Sequence, residues 1–322
     1  MKAIEIDGDQ LVWADAPSPS LGKGEIRIRV KASAVNRADL AQRQGGYPPP
    51  PGASHILGLE CSGVVEEVAD DVSSYSIGDE VCALLAGGGH AEEVVVPAVQ
   101  ALPIPQGLSF HQAAALPEVF ATAYLNLFME AGAAPGERIL LHAGASGVGT
   151  AGIQLCRAFG NPVFVTAGAD DKIERCIALG ANGGSNRHSG SFADQVEGWT
   201  DGNGFDVILD PVGANYLEAN IRSLAIEGRL VLIGLMGGAS AELPMGSMLM
   251  KRLRVIGSTL RARPVAAKEV IMNELRDRVW PLIESGDIVP IVEEVIPIAD
   301  TGRAHELIAS DSTFGKVILA VD

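Results

Sequence analysis

The segment from Arg138 to Thr150, Arg-Ile-Leu-Leu-His-Ala-Gly-Ala-Ser-Gly-Val-Gly-Thr, offers the first recognisable chemistry in the chain. A run suited to a buried strand leads into a turn of small residues. Ile153, Leu155, Ala158 and Phe159 then follow at helical spacing. Strand, glycine turn and helix in that order form a dinucleotide-binding unit. A pyrophosphate reaches the exposed N–H groups of a helix's first turn only where no Cβ stands in the way, and Gly144, Gly147 and Gly149 clear that space. The glycines are spaced GxxGxG and not GxGxxG, and taken alone such a turn also fits a purely structural role. The sequel favours the phosphate site: Pro162-Val-Phe-Val-Thr-Ala reads as a second strand and Asp171 to Leu179 as a second helix.

The end of that second strand chooses the nucleotide. A carboxylate there would take the ribose 2'-OH of NAD, whereas a small residue with cations nearby leaves room and charge for the 2'-phosphate of NADP. Ala167-Gly168 stand at this point, with Lys172 four residues beyond Gly168. Asp170 and Asp171 argue the other way, but just after the turn they suit a helix N-cap and first turn. The residue types favour NADPH.

Such a site needs a large scaffold, and 322 residues of which 47% are hydrophobic can bury one, with a length that favours two domains. The formal net charge of -16 repels nucleic-acid phosphates and anionic membrane surfaces, so neither is an expected partner and an anionic cofactor needs a local basic pocket. Cys61, Cys82, Cys156 and Cys176 form no C-x-x-C pair and lie in apolar or helical contexts, which argues against disulfides and thiolate clusters. Acids interrupt the opening Met1-Lys-Ala-Ile-Glu-Ile-Asp, and no run of about 18 apolar residues occurs later. A cytoplasmic, reducing location is expected.

Residues 1 to about 35 alternate with the period of a strand, clearest from Glu25 to Val35, where Ile26, Ile28 and Val30 share a face. A short helix from Arg37 to Gln44 and the turn-rich Gly45-Gly-Tyr-Pro-Pro-Pro-Pro-Gly follow. Strands resume from Gly63, Asp79 and Ala91, a spacing that suggests a small barrel or rolled sheet. Helical patterning begins at Ser109, a candidate cap, with Pro117 opening another segment and Gly132 ending it. Five strands at 139–143, 163–167, 206–210, 229–234 and 254–258 then alternate with helices, which calls for a parallel sheet covered on both faces. A helix through Trp280, a strand from Val292 to Ile296, a helix from Thr301 to Ala309 and a last strand from Lys316 form a tail expected to return to the first domain.

The chain resembles the medium-chain dehydrogenase/reductase superfamily over essentially its whole length. Within it the zinc-free, zeta-crystallin-like quinone oxidoreductases are most similar, in the branch of the p53-inducible enzyme of animals. The resemblance rests on Ala34-Val-Asn-Arg-Ala-Asp-Leu-Ala-Gln-Arg-Gln-Gly-Gly-Tyr-Pro-Pro-Pro-Pro-Gly-Ala, Ile56-Leu-Gly-Leu-Glu-Cys-Ser-Gly, His142-Ala-Gly-Ala-Ser-Gly-Val-Gly-Thr-Ala and Gly234-Leu-Met-Gly-Gly. It implies an α/β fold in which a Rossmann doubly wound parallel sheet, residues 121–259, is inserted between the two parts, 1–120 and 260–322, of a GroES-like, mainly antiparallel β catalytic domain. Zinc dehydrogenases of the superfamily offer a cysteine and a Gly-His-Glu motif where this chain has Asn36 and Gly58-Leu59-Glu60, and the structural-zinc cysteines are missing. No metal site is expected.

By the same resemblance Ser146, Gly147 and Val148 present a helix N-terminus to the pyrophosphate, and Arg187 joins Lys172 and Gly168 around the 2'-phosphate. Thr122 and Asn36 lie near the nicotinamide ribose and amide, and Tyr47 borders the ring. Gly234, Leu235 and Met236, with Ser258, Thr259 and Leu260, line its side, and Lys316 reaches the cofactor or the cleft. Tyr47 before four prolines also fits simple packing. The implied reaction is hydride transfer from NADPH to a quinone, with Asn36 or Tyr47 steadying the forming oxyanion; reduction of an α,β-unsaturated carbonyl, cofactor binding with little turnover, and a zinc alcohol dehydrogenase are the alternatives. His90 departs from the family pattern and is expected to shape the cleft mouth, His142 to be a satisfied core residue, and His55, His111, His188 and His305 to lie in turns or on helix surfaces. A homodimer through the apolar stretch from Glu242 to Lys251 is expected by analogy.

Overall fold

Period-two sequences at the start of the chain form a hairpin, β1 (Lys2–Asp7) against β2 (Gln10–Asp15), turning through Gly8 at φ +58°. The computed structural model describes residues 1–321. It comprises two units, Met1–Ala121 with Leu260–Asp322, and Thr122–Thr259.

In the first unit the strands are β3 (Glu25–Val35), β4 (Glu60–Val68), β5 (Glu80–Leu84), β6 (Glu93–Pro97) and β7 (Ala101–Pro103). β3 is the longest, and it organises the sheet. It pairs antiparallel with β4 along one edge (Ser33↔Cys61), and along the other with β6 over Glu25–Arg29. Ile26, Ile28 and Val30 of β3 point into one buried cluster with Val65, Val81, Val94 and Val96, as the alternation requires.

The second unit starts again with a different rule. Its strands β8 (Ile139–Leu141), β9 (Val163–Ala167), β10 (Gly183–Asn186), β11 (Phe205–Asp210), β12 (Leu224–Leu232) and β13 (Arg254–Gly257) are all parallel, in the order β10-β9-β8-β11-β12-β13. Numbered from β8 this is 3-2-1-4-5-6, the doubly wound nucleotide-binding order, whose switch point falls between β8 and β11. Continuous apolar runs such as Ile139-Leu-Leu and Val207-Ile-Leu are buried throughout, because helices cover both faces. Six strands are present where the sequence pattern predicts five. The extra one, β10, is Gly183-Gly-Ser-Asn, which carries no apolar side chain to announce it.

The tail returns to the first unit. β14 (Val292–Pro297) pairs parallel with β15 (Lys316–Ala320), and β15 pairs antiparallel with the second half of β3 (Ile318↔Ala34). Ser109 caps the helix Phe110–Ala113 by accepting from Gln112 N at 3.3 Å.

Three local expectations are corrected. His305 is buried and not on a helix surface, because the helix Thr301–Ala309 turns that side inward with Ala304 and Ile308. His90 is 0% exposed and so shapes no cleft mouth. The N-cap of the helix Asp170–Leu179 is Ala169 and not Asp170, whose carboxylate instead accepts from Asn186 Nδ2 at 2.8 Å.

Candidate functional site

Asn36, between the end of β3 and the helix Arg37–Arg43, lies at the centre of a buried polar cluster in the first unit. Its backbone N–H donates to Asp39 Oδ2 at 2.7 Å, while Asp39 Oδ1 accepts from Gly58 N at 2.9 Å. One carboxylate therefore fixes both the Asn36 corner and the loop before β4. Gly58, at φ +101°, cannot be replaced freely, since a Cβ would stand 2.5 Å from His90 N.

The Asn36 carboxamide is fully engaged as a donor, to Ala34 O at 3.3 Å and Glu60 Oε1 at 2.9 Å. Its Oδ1 accepts from Lys316 Nζ at 2.6 Å. Lys316 donates its other two protons to Val35 O at 3.0 Å and Glu60 Oε1 at 2.7 Å. Glu60 Oε2 accepts from the Glu118 backbone N–H at 2.8 Å. Strand β15 thus delivers a cation from the far end of the sequence to a carboxylate on β4, and each partner's hydrogen bonds are met.

His90 lies behind this layer. Ser33 Oγ donates its single proton to Glu60 O at 2.7 Å, so His90 Nδ1, 2.9 Å away, is the donor to Ser33. Nε2 is then a bare acceptor with no partner, 3.9 Å from Asp39 Oδ2. Burial, with the charge of Lys316 nearby, pushes His90 down to about 3, so it stays neutral at physiological pH.

Tyr47 is placed by Arg261, whose guanidinium lies 5.3 Å from the phenol ring centroid and donates to Tyr47 O at 3.2 Å, Ala86 O at 2.7 Å and Gln42 Oε1 at 2.7 Å. The Tyr47 hydroxyl has no hydrogen-bond partner among the described residues. Burial raises its pKa, and the carboxyl of Glu118 raises it further. Sequence reasoning singles out none of Glu118, Arg261 and Lys268. Glu118 stands in the apolar helix Pro117–Tyr124 and Lys268 in an ordinary-looking helix, Val265–Arg278, so only the fold reveals them.

In the second unit the candidate residues gather at the carboxyl ends of the parallel strands. Ser146, after β8, caps the helix Gly147–Ala158 by accepting from Gly149 N at 3.0 Å. The first N–H groups of that helix, on Gly147 and Val148, lack intrahelical acceptors by geometry and face any anion placed there. A Cβ on Gly149 would stand 2.5 Å from both Ala143 O and Gly144 O, so the turn closes only around bare backbone. Gly168 follows β9, and the Arg187 guanidinium lies over it, 3.0–3.2 Å from where a Cβ would be. Lys172 is buried in the first turn of the helix Asp170–Leu179. Gly234 follows β12, with room for no side chain beside Pro211 O, while Leu235 and Met236 next to it are exposed. Ser258 and Thr259 follow β13; Thr259 closes this unit and Thr122 opens it, whereas Leu260 is a buried residue of the first unit.

His142, at the end of β8, is a satisfied core residue, as its sequence context predicts: Nδ1 meets Thr166 Oγ1 at 3.0 Å and Nε2 meets Asn220 Oδ1 at 2.7 Å. Burial pushes it down to about 4. All four cysteines are free and buried. Among the described residues no group of three or more His, Cys, Asp or Glu side chains could hold a metal ion. The donors that a zinc ion would seek around Asn36 and Glu60 are instead satisfied by the Lys316 ammonium, so this constellation does not fit zinc.

Comparison with known proteins places these features. The family profile "Alcohol dehydrogenase GroES-like domain" matches residues 22–106, and "Zinc-binding dehydrogenase" matches residues 147–275. The quinone oxidoreductase-like protein 2 of Rattus norvegicus is 34% identical over 307 residues, covering 95% of this chain and 87% of that protein. The crystal structure of Escherichia coli quinone oxidoreductase complexed with NADPH superposes with a TM-score of 0.88, at 28% identity and with 99% of each chain covered. The quinone oxidoreductase of Thermus thermophilus, solved alone and with NADPH, gives 0.85 at 33% identity over 100% of both chains. Fold, strand order and these full-length similarities agree: the chain belongs to the medium-chain dehydrogenase/reductase superfamily, as an oxidoreductase of its quinone oxidoreductase-like family.

Proposed function

We propose that the protein is an NADPH-dependent quinone oxidoreductase, with the nucleotide held by the unit Thr122–Thr259 and the acceptor by the unit built from Met1–Ala121 and Leu260–Asp322. The observation that carries the reading is the ion pair of Lys316 with Glu60, which fills the place around Asn36 that a zinc dehydrogenase would give to its metal. An acceptor reduced there must need no Lewis acid. A quinone meets that condition, because its ring becomes aromatic on accepting hydride.

When bound, NADPH supplies the hydride. The chain's part is to hold and to orient. The backbone of Ser146, Gly147 and Val148 takes the pyrophosphate at the helix N-terminus. Arg187, whose guanidinium lies over Gly168, and Lys172, in the first turn of the next helix, are assigned to the 2'-phosphate. Thr122, Gly234, Leu235, Met236, Ser258, Thr259 and Leu260 are assigned to the nicotinamide end. Of the two candidates for the forming oxyanion, Tyr47 has an uncommitted hydroxyl, whereas both N–H groups of Asn36 are engaged. Tyr47 therefore takes the oxyanion contact, and Asn36 and Lys316 position the site around it.

The same reading includes a homodimer. β13 is an edge strand of the parallel sheet, and the preceding helix Met245–Lys251 exposes Leu249 and Met250 by 78% and 77%. No helix among the described residues is long and apolar enough to cross a membrane, and the four free thiols suit a reducing cytoplasm.

Purified protein mixed with NADPH and a panel of ortho- and para-quinones tests the reading. Loss of reduced-nicotinamide absorbance that depends on quinone supports it; saturable NADPH binding with no loss contradicts it and leaves a cofactor-binding protein without turnover. Reduction of α,β-unsaturated carbonyls is the second reading, favoured by Glu118 Oε2, which is buried without a hydrogen-bond partner among the described residues.

A further inference from the structure

We propose that Asn186 determines coenzyme specificity: it holds the Asp170 carboxylate on one side of β10, so that no acid opposes the 2'-phosphate of NADPH on the other. This role rests on the assignment above of Arg187 and Lys172 to that phosphate.

Asp170 is a carboxylate close to where NADPH needs none. It stands two residues beyond Gly168, at the start of the helix Asp170–Leu179. An acid near the end of this strand is what NAD-dependent folds use to take the ribose 2'-OH. Capping does not explain it, because the N-cap is Ala169. The side chain is exposed and has several rotamers open to it. What fixes it is Asn186, whose Nδ2 donates to Asp170 Oδ1 at 2.8 Å, the only side-chain hydrogen bond of Asp170 among the described residues.

The Asn186 amide is fixed in turn. Its Oδ1 accepts from His188 N at 3.0 Å and its backbone O from Ser189 N at 2.9 Å. The turn after β10 thus takes both oxygens and leaves the NH2 group aimed at the helix start.

β10 divides the charge around it. Asn186 lies in register with Ala167, and the next N–H, of Arg187, donates to Ala167 O at 3.0 Å, so the chain is still extended where these two residues follow each other. Consecutive side chains of an extended chain leave on opposite faces. Asn186 accordingly lines a groove with Asp170, Glu174 and Asp194 and with no basic side chain. Arg187 lines a smaller cavity with Thr166, Asn215 and Tyr216 and with no acidic one. Ser185, Gly190 and Ser191 border both. The Arg187 guanidinium lies over Gly168, so the acid nearest that glycine and the cation above it are kept on different sides of one strand.

Released from Asn186, the Asp170 carboxylate can turn towards Gly168. There it repels a 2'-phosphate and accepts a hydrogen bond from a 2'-OH. Both effects lower the preference for the phosphorylated coenzyme.

Calorimetric titration of the full chain with 2',5'-ADP and with 5'-AMP tests this without turnover, since the two probes differ only in the 2'-phosphate. Wild type should bind 2',5'-ADP about tenfold or more tightly, as charge-assisted hydrogen bonds to phosphate allow. Asn186→Ala should cut that preference by about threefold to fivefold, the size of an exposed charge interaction. Asp170→Asn should keep the preference at the wild-type level or above. In the Asp170→Asn background, Asn186→Ala should change nothing, whereas a merely structural role of Asn186 would show in both backgrounds. The ratio of kcat/KM for NADPH and NADH with phenanthrenequinone should follow the same order. A preference unchanged by Asn186→Ala, or one lost equally in both backgrounds, overturns the proposal and leaves the NADPH assignment standing. Equal binding of the two probes by wild type overturns both.

Discussion

Lys316 on β15 and Glu60 on β4 meet at 2.7 Å, with side chains 4% and 0% exposed. A carboxylate at such depth needs its cation, and removing one partner of a buried pair costs about 3–5 kcal/mol. Lys316→Met should therefore lower the stability measured by urea denaturation by that order, and adding Glu60→Gln should recover part of it. A loss under about 1 kcal/mol for Lys316→Met, in the range of surface pairs, would show that the cluster does not anchor the first unit.

The nucleotide preference rests on the cations around Gly168. Lys172→Ala combined with Arg187→Ala should raise KM for NADPH by about tenfold or more, since a hydrogen bond to a charged group contributes about 1.5–3 kcal/mol. KM for NADH should change little. An equal effect on both coenzymes would remove the basis for preferring NADPH.

Gly149→Ala tests the turn after β8. Its Cβ would press on two carbonyl oxygens 2.5 Å away, so the helix N-terminus must shift. NADPH affinity should drop at least tenfold, followed by the quenching or enhancement of nucleotide fluorescence, whereas Gly246→Ala, with open space around it, should bind as wild type does.

Glu118 also predicts a stability profile. Its folded-state pKa, about 8, lies above the ordinary value of 4.5, so the folded protein binds the extra proton between those values. The stability it contributes is full below about pH 4.5 and is lost as pH rises through 8. Wild type should lose thermal stability relative to Glu118→Gln between pH 5 and 9; parallel Tm curves for the two proteins would contradict this.

Much of the fold is legible in the sequence because each unit follows one periodicity. Alternating residues of β3 and continuous apolar runs of β8, β9 and β11 declare an antiparallel and a parallel sheet. β10 is not legible, since Gly183-Gly-Ser-Asn is held in the sheet by its backbone pairing with β9 and by little else. Buried His305 escapes for a related reason: a histidine on an amphipathic helix gives no sign of which face it takes. The polar cluster is visible only in pieces. Asn36 and Glu60 stand out by their places in the chain, but the bond from Lys316 to Asn36 joins residues 280 positions apart, and no local pattern encodes it. Glu118 looks like an ordinary helix residue until the fold buries its carboxyl, with Oε2 unpaired among the described residues.

The exposed Leu249 and Met250 give the dimer its test. Leu249→Glu with Met250→Glu should convert a dimer to a monomer in sedimentation at low micromolar concentration. A wild-type protein that already sediments as a monomer would refute that part of the proposal.

The most direct test of metal-free, NADPH-dependent quinone reduction is the rate of NADPH oxidation by phenanthrenequinone after exhaustive dialysis against a chelator. That rate should be unchanged by the dialysis and unaffected by added zinc. A rate that vanishes and returns only with zinc would contradict metal-free reduction.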